Sequence, residues 1–577
     1  MQQPLLTGRD RALAPEARRV NKTPVTFRMK APRPTVIVAR EGPAHFHTIS
    51  EAIQGSAPGT CIQVRPGIYQ ESLLIDRPVE IEGDGAPETV VVLAMWGPCL
   101  TLQTDEATVR GLVLRSRATT QRDRISTLCV PRGKLTLDQC DIRAGSQACL
   151  EVYDRGEAQL IDCILQQTPG CGVIVRDGGQ AHLQRCRIQT AAKTNLLVLP
   201  GGRLTLEECL IAEGRIGVYL HASTVASLTR CTVEQIRDTG VLIDQGATPT
   251  IQHCRFLENP GVGVTVRGGG GIVEECEFLK QHQAGLQILR ASTVEVRRCK
   301  IRDGMQPGVV FSAHATGLVE DCDLQANSVA GILVEQQSTP VIRNCRISEG
   351  NQACGILVRG KSGGSISGCD IFRNPDPGIV LDEGSTPTVH RCKIHDGGHH
   401  GILVSTHSGG KIQSCELVGN QLAGVAVEQG ADPEVIHCSV RDHRHASVYV
   451  TEEGKGAFTD CDFGPSKVAG ILLERGADPV ISQCRVHTSD QAGVAILSDG
   501  RAHLQDCRIE NNALAGVMVG EGGEAVVEHC RIQGNGREPI RIEDDGRCQV
   551  DQQTLLVGND DDRIDVAPRG LLRDQPR

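Results

Sequence analysis

Apolar positions along this chain recur with a period of about 23 residues, and each recurrence carries the same two short motifs. The first is a cysteine followed two places later by an apolar residue. Eighteen cysteines, from Cys140, Cys163 and Cys186 to Cys530, follow one another at intervals of 22, 23 or 24 residues. The apolar partners run Ile142, Leu165, Ile188, Ile211 and on to Ile532. The second motif, eight to ten residues after most cysteines, is a glycine and an apolar triplet: residues 240–243, 331–334, 424–427 and 493–496. Between the motifs stand Asn259, Asn327, Asn351, Asn374, Asn420, Asn512, Gly304 or Gly397. These residue types tolerate the left-handed backbone of a sharp corner, so the pattern predicts two strands per unit joined by a turn.

A unit this short has no helical period and cannot close a core alone, so it must stack on its neighbours. The expected fold is all-β: one parallel β-helix solenoid with one coil per repeat. Eighteen regular coils and roughly three earlier ones make about 21, a rod roughly 100 Å long at about 4.8 Å per coil. The expected organisation is a basic tail at 1–34, an N-terminal cap and irregular coils at 35–130, regular coils at 131–548 and a C-terminal cap or tail at 549–577. In "TISEAI", Thr48 and Glu51 have capping-box spacing, which predicts a short helix covering the open end of the core.

Side chains alternate faces along a strand, so the middle residue of each apolar triplet points outward. That column is apolar too. It includes Leu333, Leu357, Val380, Leu403, Tyr449 and Leu472. Exposed apolar surface of that extent marks an interaction site; the other reading is that the protein's own turns fold over it. The position after each cysteine also faces water and alternates in charge: Arg255, Glu277, Lys300, Asp323, Arg346, Asp370, Lys393, Glu416. Such a ladder neutralises itself. It gives way to three arginines in a row, Arg485, Arg508 and Arg531, which read as an anion site or as arginines paired by Asp506 and nearby carboxylates.

Composition narrows the class. Lys+Arg 60 against Asp+Glu 70 gives a net charge of -10, which argues against general nucleic-acid binding. No apolar run is long enough to span a membrane, and the opening residues lack the apolar core of a signal peptide. The ladder cysteines share one inward position, with parallel side chains a strand spacing apart, whereas a disulfide needs its Cβ atoms about 3.8 Å apart. Free buried thiols are therefore expected, and a cytoplasmic location with them. No C-x-x-C pair occurs and the ladder offers no tetrahedral grouping, so neither metal nor cofactor is expected.

Residues 58–85, "PGTCIQVRPGIYQESLLIDRPVEIEGDG", resemble the opening coils of pectin-methylesterase-like and related carbohydrate-binding and sugar-hydrolase β-helix proteins. The later coils are similar to the right-handed parallel β-helix repeats of that pectin-lyase-like superfamily, a resemblance that covers residues 35–548 and implies a right-handed solenoid. It implies no particular activity, because one fold hosts many. The "GRPW"-like stretch of pectin methylesterases is missing, and Trp96 is the only tryptophan. "GGHHGIL", with His399 and His400, resembles the Gly-His-Gly loop of polygalacturonases, but the paired aspartates are absent and both histidines read as turn residues. "NPDP" keeps Asp376 and Pro377 of an alginate-epimerase motif without its histidine. The repeats also resemble the β-helix of F-box-type adaptors, with no F-box-like helical segment.

These readings combine into a non-catalytic scaffold that binds a macromolecular partner, protein or polysaccharide, through a long outer sheet face. The expected binding residues are Leu333, Leu357, Val380, Leu403, Tyr449, Leu472, Arg485, Arg508 and Arg531. The alternative is a polysaccharide lyase, hydrolase or epimerase, or a carbohydrate-binding protein of the same fold.

Overall fold

The computed structural model describes residues 34–574 apart from 87, 118–124 and 190, so the basic tail lies, save Pro34, outside the described residues. The chain winds as a right-handed parallel β-solenoid of about 23 turns, slightly more than the 21 expected. Three parallel sheets run its length, so each coil has three strands where the sequence pattern predicts two. In a representative coil, Arg255–Leu257 belongs to the post-cysteine sheet, Val262–Arg267 to the glycine sheet and Gly270–Glu274 to the pre-cysteine sheet, after which Cys276 turns the corner. Each strand pairs in register with its counterparts one coil away, as Val310 with Leu333 and Leu333 with Leu357.

Inward positions fill one continuous core. Ile142, Ile188, Phe256, Ile332 and Val334 are all buried, and Phe256 stacks on Phe278 of the next coil with ring centroids 4.6 Å apart. The repeat glycine is required by this packing. A Cβ on Gly331 would lie 2.5 Å from the Cγ2 of Ile347, the inward residue of the adjacent coil.

The asparagines do something other than expected. The left-handed residues are the ones before them, Glu258, Ala326, Arg373 and Asn511, and a second left-handed residue precedes each ladder cysteine, as at His253 and Asn344. Asn259, Asn327, Asn374, Asn420 and Asn512 are absent from the left-handed set and are buried. Each amide bridges to the preceding coil: Asn327 donates to the Ile301 carbonyl at 2.9 Å and accepts from the Gly304 N–H at 3.2 Å. A corner leaves backbone groups without strand partners, and the side-chain amide supplies both a donor and an acceptor there.

All 25 cysteines are unbridged thiols. The ladder thiols are buried and donate to backbone carbonyls, as Cys484 to Ser482 at 3.2 Å, while Cys299 N–H donates to the Cys322 sulfur at 3.4 Å. Near the N-terminus the helix Ile49–Gly55 follows Thr48, whose side chain accepts from Glu51 N–H, and Ile49, Ala52 and Ile53 join the core. The other half of the cap comes from Glu71, 20 or more residues on: its carboxylate accepts from the Ile49 and Ser50 N–H groups at 3.0 and 2.8 Å. Residues 555–574 continue the register with three further strands, paired with 531–533, 541–542 and 547–550.

Candidate functional site

The apolar column of the glycine sheet is covered more than its outward position suggests. Leu333 and Leu472 are each only 7% exposed, and Leu357, Val380, Leu403 and Tyr449 are half-buried. Leu333 packs with Ala284, Val310 and Leu357, and Leu472 with Ala446, Ala469, Ala492 and Ala495. The cover comes from rungs above and below and from small residues just before the repeat glycine. In a stack spaced by about 4.8 Å a branched side chain is walled in by its axial neighbours and shows only its tip. In place of an openly exposed apolar stripe the structure has a half-covered seam, closed at Leu333 and Leu472. Within it the Tyr449 hydroxyl donates to Glu474 at 3.1 Å.

On the post-cysteine sheet the charge ladder is in register, but its contacts are largely diagonal. Arg255 pairs directly with Glu277 at 3.0 Å. Asp323 instead meets Arg302, Glu416 meets Arg441, and Asp370 meets His395. These partners stand three places after their own cysteines, one coil away, because long side chains reach a neighbouring column as readily as the next rung. Arg485, Arg508 and Arg531 stack in register as expected. The carboxylate among them is Glu510, 2.7 Å from Arg485, while Asp506 turns to His529 at 3.9 Å.

Four histidines gather at the corner before the glycine sheet. His399 and His400 meet edge to face at 4.6 Å, and His445 packs on Tyr449 at 5.3 Å. His443 occupies the ladder-asparagine position of its coil and is 1% exposed. Burial pushes its pKa down to about 4 against backbone bonds to Leu417 and Asn420, and burial with the neighbouring histidines pushes His400 down to about 3. The Nδ1 atoms of both accept from backbone N–H groups, of Asn420 at 3.1 Å and Ala423 at 3.0 Å, so both rings are neutral. Asp376 lies close enough to His399 to raise its pKa, though burial lowers it more. The corner thus sets Asp376 beside His399, and Glu474, which accepts from Tyr449, beside His445.

The pre-cysteine sheet carries a feature absent from the expected site. Four residues before successive cysteines, in register, stand Thr136, Gln159, His182, Thr205, Ser227 and Thr250, facing outward. Two shallow clefts of about 340 and 330 Å³ lie along this row and share Lys134. Three of their four carboxylates are engaged, Glu80 with Arg110, Glu157 with Lys134 at 2.8 Å and Glu207 with Arg230, and the fourth is Glu106. The signal was available in the recurrence of Thr, Gln, His and Ser at that offset, which apolar periodicity passes over. Among the described residues no group of three or more His, Cys, Asp or Glu side chains is placed to hold a metal ion, and no helix is long and apolar enough to cross a membrane.

Residues 128–278, 284–437 and 423–560 match the family model described as right handed beta helix region, well over half of the chain. The chain belongs to that family. Two curated relatives share a short segment with this right-handed β-helix protein: a pectinesterase/pectinesterase inhibitor of Brassica campestris and a probable one of Brassica napus, each 38% identical over 66 residues. That segment is 10% of this chain and spans only 12% and 11% of those relatives' lengths. Among solved structures, a pectin methylesterase from Aspergillus niger is 15% identical over 42% of this chain and 87% of its own, with a TM-score of 0.30. A PL6 family alginate lyase, AlyGC, aligns over 94% of this β-helix protein and 98% of its own chain at 11% identity, with a TM-score of 0.29.

Proposed function

We propose that this β-helix protein is a non-catalytic scaffold that binds an extended, hydroxyl-rich macromolecule, a polysaccharide, along the outside of its pre-cysteine sheet. The observation that carries the reading is the in-register row from Thr136 to Thr250. A polymer lying along the axis meets a hydrogen-bonding side chain every coil, about every 4.8 Å. Hydroxyl, amide and imidazole groups both donate and accept, as sugar hydroxyls do. The other two outer faces are occupied by their own contacts, apolar on the glycine sheet and ionic on most of the post-cysteine sheet.

The choice of binding over catalysis rests on the clefts' carboxylates. Those on Arg110, Lys134 and Arg230 are held as ion pairs, which leaves Glu106 as a lone acid in the lining. A polysaccharide array probed with the full chain and with a His182→Ala/Thr205→Ala variant tests this. Retention of a glycan by the wild type, lost at least about tenfold in the variant as expected when two central hydrogen bonds go, supports it. Equal retention by both, capture of proteins only, or shortening of the bound glycan would each overturn it.

A further inference from the structure

The end of the post-cysteine sheet is where its charge alternation fails. Arg485, Arg508 and Arg531 occupy consecutive rungs, so like charges stand about 4.8 Å apart at their bases and repel. Arg485 is relieved: its Nε donates to Glu510 at 2.7 Å, and Asp462 lies 4.0 Å away. Glu510 is nearly buried, yet against that burial Arg485, Gln533 and Arg508 hold its carboxyl below the usual range. Arg531 donates from Nε to the neutral amide oxygen of Gln533, which fixes the side chain without balancing its charge. The remaining neighbours are spoken for: His487 faces Asp462 at 3.2 Å, and His529 lies between Asp506 at 3.9 Å and Asp551 at 3.5 Å. The rung beyond Arg531 is Leu555, 51% exposed. Among the described residues no carboxylate forms an ion pair with Arg508 or Arg531.

We infer that Arg508 and Arg531 form a binding site for a tetrahedral oxyanion, a phosphate or sulfate or one of their monoesters. Each guanidinium presents a planar fork of parallel donors that matches one oxygen–oxygen edge. A carboxylate has a single edge, for which two stacked forks must compete. A tetrahedral anion has several and can offer one to each arginine. Its charge also removes the repulsion along the rungs. This site lies on a different sheet from the polar row, at the other end of the rod, so it stands or falls independently of the polysaccharide reading.

The test is isothermal titration of the full chain with inorganic phosphate, inorganic sulfate and acetate, at one ionic strength maintained with chloride. Saturable binding of phosphate, sulfate or both is expected, with acetate at least about tenfold weaker because it satisfies one fork of two. The Arg508→Gln/Arg531→Gln variant should lose about tenfold or more in affinity. Arg187→Gln is the control: Arg187 donates to Gln189 as Arg531 does to Gln533, but Ile164 and Leu210 flank it in place of arginines. That variant should bind as the wild type does. Acetate equal to phosphate and sulfate, full binding by the double variant, or an equal loss in Arg187→Gln would overturn the assignment. Sulfate raises melting temperatures generally by exclusion from protein surface, so in a parallel melt only the increment lost in the double variant counts as binding.

Discussion

His443 stands where other coils place an asparagine, and the exchange carries a pH dependence. Its Nδ1 accepts from the Asn420 N–H, a bond that protonation would break. The folded pKa of about 4 lies below the roughly 6.5 of an unfolded histidine, so between those values the unfolded chain takes up a proton that the folded chain refuses. Stability from this group is complete above about pH 6.5 and falls as the pH drops toward 4, by on the order of 3 kcal/mol. His400, pushed to about 3, acts in the same direction. His443→Asn should restore the ladder amide and flatten this part of the curve, read as denaturation midpoints at pH 7 and pH 4.5. An unchanged slope would contradict the assignment. The ladder cysteines make a second residue-scale expectation. A thiol reagent under native conditions should label Cys61 and Cys129, the two half-buried cysteines, and leave the eighteen ladder thiols unmodified. Native disulfides between successive coils, found by non-reducing mass mapping, would refute the free-thiol ladder.

At the scale of the strand, the glycine sheet is governed by what lies one coil away. Gly331 lacks a side chain because Ile347 occupies its space, so Gly331→Ala should destabilise the fold by about 1–3 kcal/mol through overpacking. The seam built on Leu333 obeys the same logic from the outside. Replacing Leu333, Leu357 and Leu403 together with Thr keeps strand propensity and removes apolar contact. Since Leu333 is buried and the other two half-buried, the triple variant should lose on the order of 1 kcal/mol per site and melt measurably lower. An unaltered melting curve would mean these side chains contribute no packing. The diagonal ion pairs of the post-cysteine sheet are exposed and worth a few tenths of a kcal/mol each, so they set local side-chain order more than stability.

At the scale of the whole molecule, the solenoid is a rod of about 23 turns whose three faces have separate chemistries, and catalysis is expected on none of them. Incubation with pectate, polygalacturonate or alginate should leave both chain length and epimer content unchanged. Turnover that disappears in Asp376→Ala or His400→Ala would make the histidine corner an active site. How much of this was legible in the sequence divides by physical range. The coil length and the inward set from Ile142 to Ile532 follow from the chain alone, because a strand alternates faces every residue and a short unit must stack to bury its apolar side. The third strand of each coil, such as Gly270–Glu274, does not, since the sequence pattern marked only two per unit. The ladder of free thiols follows as well, since the common spacing fixes one direction for every cysteine. Three things required the tertiary structure. Whether Leu333 is covered depends on Ala284, Val310 and Leu357, brought beside it from neighbouring coils. Whether Asn327 shapes the corner or bridges it depends on carbonyl and amide groups 23 or 26 residues away. Which carboxylate meets which arginine depends on reach across columns, as Glu510 rather than Asp506 on Arg485. Direction along a strand is local and can be read from one repeat, whereas exposure and pairing are properties of the stack and exist only once the coils have closed on one another.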